Sequence, residues 1–442
     1  MTRLSGWGRY PVGDYPLKAA RCEADVLHAL SAGSLIARGN GRAYGDPAAS
    51  LSCTLDMRGM NRMLSFNAAT GELTAEAGVL LSDIITAFLP HGWFPAVTPG
   101  TRHVTLGGMI AADVHGKNHH RDGSMRTCIS WIDLLCADGV ARRCSRTEDP
   151  ELFDHTCGGM GLTGVILRAA IRLRAVRSAW IRQRTIAAPD LDSAMGAFEA
   201  NGDATYSVAW IDTLSSGRSL GRSLVMLGEH AEPDELSISQ RQRPLDVPAR
   251  RRLSVPFDLP NWALNGSAVR LFNGLYYRAG LHKAERTQFV SYDSYFYPLD
   301  AISGWNRIYG ARGFLQFQCV LPLERSREGL GELLGRIAAS GRGSFLAVLK
   351  RFGAQSSPFS FPMEGYTLAL DFPVSPRTIA LYETLEAVTI AHGGRFYLAK
   401  DARMSAATLR AADKRTDNFA AFRGRRALKG NFASSQSERL DI

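Results

Sequence analysis

The chain has 442 residues, of which 45% are hydrophobic and 21% charged, with a net charge of +10 and an isoelectric point near 9.4. That is the composition of an ordinary globular protein, long enough for two or three domains and a large core without staples. The positive excess favours anionic partners such as phosphates or an anionic membrane surface. Aromatic residues are not interleaved with the basic ones as in recognition modules, so no nucleic acid is expected. Seven cysteines at irregular spacing, with no CxxC pair, argue against a disulfide framework or a zinc site and for a reducing compartment. The opening "MTRLSGWGRYPVGDYP" lacks an apolar signal region, and no run of 18 apolar residues occurs. The expected place is the cytoplasm or the periphery of the inner membrane, with the periplasmic side left open.

Residues 1–178 read as one α/β unit. "EADVLHALSAG" has helical spacing, and "SLIARG" is a short strand running into a glycine loop. "CTLDM" and "ELTAEAG" read as strands. "LSDIITAFLPHG" reads as a helix with Ser82 as N-cap and Gly92 just past its end. "SWIDLLCADGVARRC" reads as a hairpin turning at Asp138-Gly139, and "GLTGVILRAAIRLRAV" as a strand leaving a glycine cluster. Near residue 179 the texture changes to strands ("AWIRQRTIAA", "TYSVAWIDT", "RSLVMLGEH") and helical stretches such as "LDSAMGAFEAN". A second domain over 179–394 is expected, built on a large β-sheet with helices on one side. Within it, 241–290 is rich in proline and basic residues and reads as a long mobile loop. Patterning resumes at "SYDSYFYPLD" and runs through "FLQFQCVLP", "SFLAVLKRFG" and "YTLALDFP". The segment 395–442 is charged and helical.

Three glycine-rich segments stand out. The first, "IARGNGRAYGD", has the spacing Gly39-x-Gly41-x-x-x-Gly45 with two arginines. Glycines let successive N–H groups converge on an anion, and arginine adds charge-assisted hydrogen bonds. It is not the GxGxxG of dinucleotide folds, since a turn and a strand follow it rather than a helix. A purely structural turn is the alternative. The second, "TPGTRHVTLGGMIAADVHGKNHHRDGS", is too apolar in its middle for a loop. Gly107 and Gly108, with the small Ala111 and Ala112, would let backbone approach a flat ligand. His115, His119 and His120 invite a metal reading, but no partner motif stands out and Gly116 opposes a regular helix, so no metal is expected. The third is "CGGMGLTGVI". Three such segments bordering strands are explained together by one long ligand with a pyrophosphate and a flat ring, as in flavin adenine dinucleotide (FAD).

These segments resemble the flavin-binding domain of the vanillyl-alcohol-oxidase family, the PCMH-type fold. Within it, "RLSGWGR", "ARGNGRAYGD", "PGTRHVTLGGMIAADVHGKNHH", "FLQFQ" and "DFP" resemble the decaprenylphosphoryl-β-D-ribose 2-oxidases, nearly end to end and more weakly over 190–290. The resemblance implies an α+β fold: a PCMH-type FAD domain (1–178, rejoined by 395–442) and a substrate domain on a large antiparallel sheet with helices. It implies non-covalent FAD. Ala37, Arg38, Gly39, Asn40, Gly41, Arg42, Ala43, Tyr44, Gly45, Asp46 and Pro47 would line the pyrophosphate and ribose. Gly100, Thr105, Leu106, Gly107, Gly108, Ala112, Asp113, Val114 and His115 would surround the ring, with Ile166 and Tyr397 completing the site.

On the substrate side the resemblance puts Tyr397 and Lys400 at the flavin rim, with Lys400 to orient or deprotonate a sugar hydroxyl and His115 beside the ring. Gln316 and Gln318 share one strand face and suit a polyol, or face solvent. Lys350 sits in an apolar run where a charge needs a reason such as a phosphate. Lys117 joins the substrate set. Trp210 and Tyr309 are candidate walls or core. In mycobacterial members a cysteine precedes "DFP"; here Ala369 stands in its place.

The implied reaction is oxidation of the 2-hydroxyl of a polyprenyl-phosphoryl β-D-ribose to the 2-keto sugar. It is the first half of an epimerisation, for arabinan of the cell envelope, that a separate NAD(P)H-dependent short-chain reductase completes. A soluble alditol or aldonolactone oxidase and a non-enzymatic phosphate-ligand binder are the alternatives. The basic stretch 241–290, with Arg250, Arg251 and Arg252 toward headgroups and Trp262, Leu271 and Phe272 toward lipid, is expected to touch an anionic membrane or to be a solvated loop.

Overall fold

The computed structural model describes residues 1–248, 253–260, 265–284, 286–344 and 346–442, and the strands counted here are those among the described residues. Two antiparallel sheets dominate. The N-terminal one orders Ala141–Ser145, Ile129–Leu135, Val165–Ala175, Glu72–Glu76 and Met63–Asn67, with Trp93–Pro95 pairing on the far end of Val165–Ala175. A three-stranded parallel sheet, Leu17–Ala19, Thr54–Asp56 and Ile36–Arg38, lies beside it and delivers the chain into the first glycine segment.

The large sheet has eight strands: Thr287–Ser291, Trp180–Ala188, Ser223–His230, Tyr206–Ile211, Ala347–Phe352, Gly365–Pro373, Phe314–Pro322 and Arg395–Phe396. Strand alternation gives its faces different chemistry. Leu315, Phe317, Cys319, Leu321, Leu349, Leu368, Leu370 and Phe372 bury against the helices Leu191–Glu199, Leu323–Ser340 and Pro376–Ala391. The alternate positions, Gln316, Gln318, Lys350, Thr367, Ala369 and Asp371, turn to the other face, toward the N-terminal domain. After Arg395–Phe396 the chain leaves this sheet. Helices Ala406–Ala412, Arg415–Arg425 and Ser435–Leu440 pack with Ile36 and Leu162 of the N-terminal half.

Several local expectations change. The helix Leu81–Phe88 is capped by Leu80, so Ser82 is not the N-cap; its hydroxyl instead meets the Asp83 carboxylate at 3.3 Å. The helix runs on as a 3-10 turn that Gly92 ends at φ 80°. The stretch 241–290 is not a structureless loop. It holds Ile238–Gln242 at its start, the strand Leu253–Ser254 and the sixteen-residue helix Gly266–Leu281, capped by the Asn265 side chain. Proline and basic density there masked the helical spacing of Val269, Asn273, Tyr276 and Gly280. These residues need the large sheet to bury against: Tyr276 meets Trp210 at 4.8 Å between ring centroids, and Gly280 abuts Leu224. Arg250, Arg251, Arg252 and Trp262 lie outside the described residues.

Candidate active site

The first glycine segment follows the strand Ile36–Arg38 as an open loop. None of the main-chain N–H groups of residues 39–43 donates to a protein acceptor among the described residues. Residues 39–43 are half-buried, so these N–H groups are open to solvent or to a ligand. The Arg42 Nε is buried without a partner among the described residues, and its guanidinium lies 4.1 Å over the Trp7 ring.

Other members of the loop brace it. Arg38 donates to the Ser5 and Ala48 carbonyls from behind, and Asp46 accepts from Arg439 at 2.7 Å. Asn40 donates to the His103 carbonyl at 2.8 Å, tying the first segment to the second. Gly39 makes the close approach possible: a Cβ there would sit 2.1 Å from the Thr105 Oγ1. Trp7 and Gly8 donate their N–H groups to the Ala43 and Tyr44 carbonyls, so "SGWGR" is a strap across the loop.

In the second segment Thr105 caps the short helix Leu106–Ala111, accepting from the Gly108 N–H. At Gly107 the backbone passes close to Ala77, whose Cβ would lie 2.9 Å from an added one. A Cβ on Gly100 would meet nothing within 4 Å. Asp113 adopts φ 40° and turns its carboxylate inward, where it accepts from Ser124, Gln355, Ser360 and the Arg126 N–H. It therefore fixes the turn, beyond which Val114 packs in the N-terminal core and His115 faces the large sheet at Gln318. Ile166 is a core residue of its strand.

His115 is buried, and burial, reinforced by the nearby Lys350, pushes its pKa well below the usual imidazole value. The Gln318 amide nitrogen lies 3.0 Å from Nε2, while Nδ1 is buried with no partner. The neutral ring thus presents Nδ1–H to a ligand. His119 and His120 are used by the protein, at the Gln355 side chain and the Ala204 carbonyl.

Tyr397 and Lys400 flank the 3-10 turn Leu398–Lys400, which is zipped to the glycine loop by the Tyr44 N–H on the Ala399 carbonyl. The Tyr397 hydroxyl donates to the Ala112 carbonyl at 2.9 Å, and burial raises its pKa. It is a fixing group, not a free acid or base. Lys400 Nζ stands 3.8 Å over the Tyr44 ring; burial lowers its pKa, and the Asp371 carboxylate offsets part of that.

Two more half-buried lysines complete the cleft. Lys117 donates to the Tyr295 carbonyl and lies over that ring, and burial with the Lys350 charge takes it to about 7. Lys350 points from its strand with no hydrogen-bond partner among the described residues and is lowered by burial to about 8. Trp210, on the same sheet face, packs against Tyr276 of the helix Gly266–Leu281. Reading by motif missed Asp371, Thr367 and Trp7. The quoted "DFP" and "RLSGWGR" held two of them, but only the strand register puts Asp371 opposite Gln316 and Thr367 within reach of Gln318.

The unpaired N–H groups of 39–43, the unpaired Arg42 Nε and the His115 Nδ1 fit a cofactor with a pyrophosphate and a polar-edged ring. The family model for an FAD binding domain matches residues 22–145, which contain all three, and the protein is an FAD-dependent oxidoreductase. A decaprenylphosphoryl-β-D-ribose oxidase from Mycolicibacterium smegmatis is 36% identical over 452 residues, covering 100% of this chain and 97% of the relative. An uncharacterized protein from the mprA 5′ region of Streptomyces coelicolor is 33% identical over 374 residues, spanning 82% of this chain and all of that one. L-gulonolactone oxidase of Mus musculus is 28% identical over 134 residues, 30% of each chain. The chain therefore belongs to the decaprenylphosphoryl-β-D-ribose oxidase family.

Two outcomes follow from this geometry. Gly39→Ala drives a methyl into Thr105 and raises the FAD dissociation constant at least about tenfold in a flavin-fluorescence titration; unchanged affinity would show that the two segments do not close on the cofactor together. Ala369 faces the cleft beside Gln318 and Val348. A thiol-directed inhibitor of this family should leave the wild-type cleft unmodified and label Ala369→Cys, as read by peptide mass spectrometry.

Proposed function

We propose that the chain oxidises the 2-hydroxyl of a polyprenyl-phosphoryl β-D-ribose to the 2-keto sugar. The carrying observation is the cleft's three buried amines: Lys350 has no hydrogen-bond partner among the described residues, and its charge is felt by both Lys117 and Lys400. A neutral polyol does not compensate such an excess, whereas a sugar phosphodiester does. Bound FAD supplies the two-electron oxidant for the carbinol carbon. Lys400, with its depressed pKa, takes the hydroxyl proton. Gln316 and Gln318 orient the sugar hydroxyls, His115 Nδ1 donates at the ring edge, Tyr397 holds the cofactor side in place, and Lys117 and Lys350 receive the phosphate. Trp210 closes the outer wall. The keto product then needs hydride from the opposite face, which a separate NAD(P)H-dependent reductase would deliver.

The lipid arm of the substrate is supported by the helix Gly266–Leu281. Its outward side carries Leu271, Leu275 and Leu281, which are 66%, 57% and 47% exposed. Arg270, Arg278 and Lys283 stand among them, and residues 265–284 contain no acid. Apolar residues mixed with basic ones fit the interface of an anionic membrane. The inward side of the helix walls the cleft at Trp210, so a prenyl chain could stay in lipid while its sugar enters.

Under anaerobic conditions a polyprenyl-phosphoryl ribose should bleach the flavin bands of the purified protein. Lys400→Ala should slow this on the order of 100-fold or more while FAD stays bound. Bleaching by a free alditol or aldonolactone and not by the lipid would replace this reading with that of a soluble sugar oxidase. The protein should co-sediment with vesicles containing phosphatidylglycerol. Leu271→Ser/Leu275→Ser with Arg270→Glu/Arg278→Glu should abolish most of that binding, and unchanged sedimentation would remove the membrane assignment.

A further inference from the structure

The strap Ser5–Arg9 is held by different parts of the chain along its length. Its middle lies flat on the glycine loop. A Cβ on Gly6 would sit 2.2 Å from the Gly45 carbonyl oxygen, and the Trp7 and Gly8 N–H groups donate to the Ala43 and Tyr44 carbonyls. Behind it, the Asn306 amide reaches the Trp7 carbonyl at 3.3 Å, and the Phe314 N–H donates to the Gly8 carbonyl at 2.7 Å. Arg9 ends the strap. Its N–H closes a turn on the Gly6 carbonyl at 3.1 Å, and its φ is 60°. That left-handed conformation suits glycine and is unfavourable for a residue with a side chain. An arginine held there points to a use for its side chain.

The use is a two-pronged ion pair. Arg9 Nη1 lies 2.5 Å from Asp258 Oδ1 and Nη2 lies 3.1 Å from Oδ2, across 249 positions of sequence. Asp258 belongs to the run 253–260, which is laid on residues 302–307. Leu253–Ser254 pairs with Ile302–Ser303, the Val255 N–H donates to the Ser303 carbonyl at 2.9 Å, and the Leu259 N–H donates to the Arg307 carbonyl at 3.0 Å. Arg307 donates in return to the Pro256 carbonyl at 2.7 Å. The carboxylate is therefore presented from a fixed base. Among the described residues the Arg9–Asp258 fork is the one hydrogen-bonded contact between the strap and 253–260. A cleft of about 450 Å³ opens between them, with Trp7, Arg9, Val255, Asn306 and Arg307 in its walls. The two runs thus meet through the fork rather than through a packed seam.

We propose that Arg9 and Asp258 form a latch that holds the strap down on the glycine loop and so slows the escape of bound FAD. This rests on the glycine loop being the site of the cofactor's phosphates, and not on the identity of the alcohol oxidised. The strap grips the loop by the Ala43 and Tyr44 carbonyls, and the Trp7 ring lies under the Arg42 guanidinium. While the strap is down, the main chain of 39–43 and the head of Arg42 keep the arrangement in which their donors are open. Arg9 and Asp258 are positioning residues, because they act on those donors only through Trp7 and Gly8. A bidentate arginine–carboxylate pair is stronger than an ordinary surface pair. With side chains 30% and 32% exposed, this one stays within reach of added salt.

The test follows FAD release from purified holoenzyme after dilution, by the rise of flavin fluorescence. Arg9→Gly fits the left-handed turn while deleting the fork, so folding is not at stake, and FAD should leave about three- to tenfold faster than from the wild type. Asp258→Asn should do the same, and the double variant should be no faster than either single one. High salt should narrow the gap between wild type and Arg9→Gly by screening the pair. Limited trypsin digestion reads the strap itself. In Asp258→Asn holoenzyme, cleavage after Arg9 should quicken by a similar factor relative to cleavage after the exposed Arg3. Release at the wild-type rate from Arg9→Gly, single effects that add in the double variant, or unchanged cleavage after Arg9 would each overturn the latch. Gly39→Ala keeps the two layers apart: if it weakens FAD binding and Arg9→Gly leaves release unchanged, the glycine loop holds the cofactor and the latch alone fails.

Discussion

The strand period of two in the large sheet separates two solvents. Leu315, Phe317 and Cys319 must bury among helices, and the same backbone then forces Gln316 and Gln318 to the opposite side. A one-residue slip would put the amides into the helix layer and the leucines into the cleft. The nine-residue pairing of Phe314–Pro322 with Gly365–Pro373 holds the register that places Asp371 opposite Gln316 and Ala369 opposite Gln318. The chemistry of the cleft is therefore a consequence of how the sheet packs on its far side.

The two halves of the molecule are joined through polar contacts that double as site geometry. The Asp113 carboxylate gathers donors from Ser124 and Arg126 on its own side and from Gln355 and Ser360 of the substrate half. The Tyr397 hydroxyl reaches Ala112, and the Lys117 carbonyl accepts from the Ser207 N–H of the large sheet. Asp113 and Lys117 flank His115 in sequence, and Tyr397 is three residues from Lys400. Relative motion of the halves would therefore change the site directly, and the buried hydrogen bonds resist it.

The L-gulonolactone oxidase match covers only 134 residues, whereas the match to the decaprenylphosphoryl-β-D-ribose oxidase runs through the whole chain. Lys350, Lys400, Gln316, Gln318 and Asp371 all lie outside residues 22–145, the span that the FAD binding domain model matches. The helix Gly266–Leu281 belongs there too, with one side on Trp210 and the other open to solvent.

By itself the sequence determined the three glycine segments, the alternating strands, the change of texture near residue 179 and the pairing of Gln316 with Gln318 on one face. These are local properties: glycine freedom, a period of two, and turn chemistry act within a few residues. It also carried the family resemblance, and with it Lys400 and His115. Only the tertiary structure decided which residues of the first loop brace it, since Arg38 and Asp46 find their partners at Ser5, Ala48 and Arg439. It likewise turned Asp113 inward, committed the Tyr397 hydroxyl to Ala112, and made a helix of a stretch whose composition reads as loop. Asp371 is the clearest case. Its residue type was plain in "DFP", but its surroundings come from Gln316 and Tyr309, 55 and 62 positions away and brought to it only when the sheet forms.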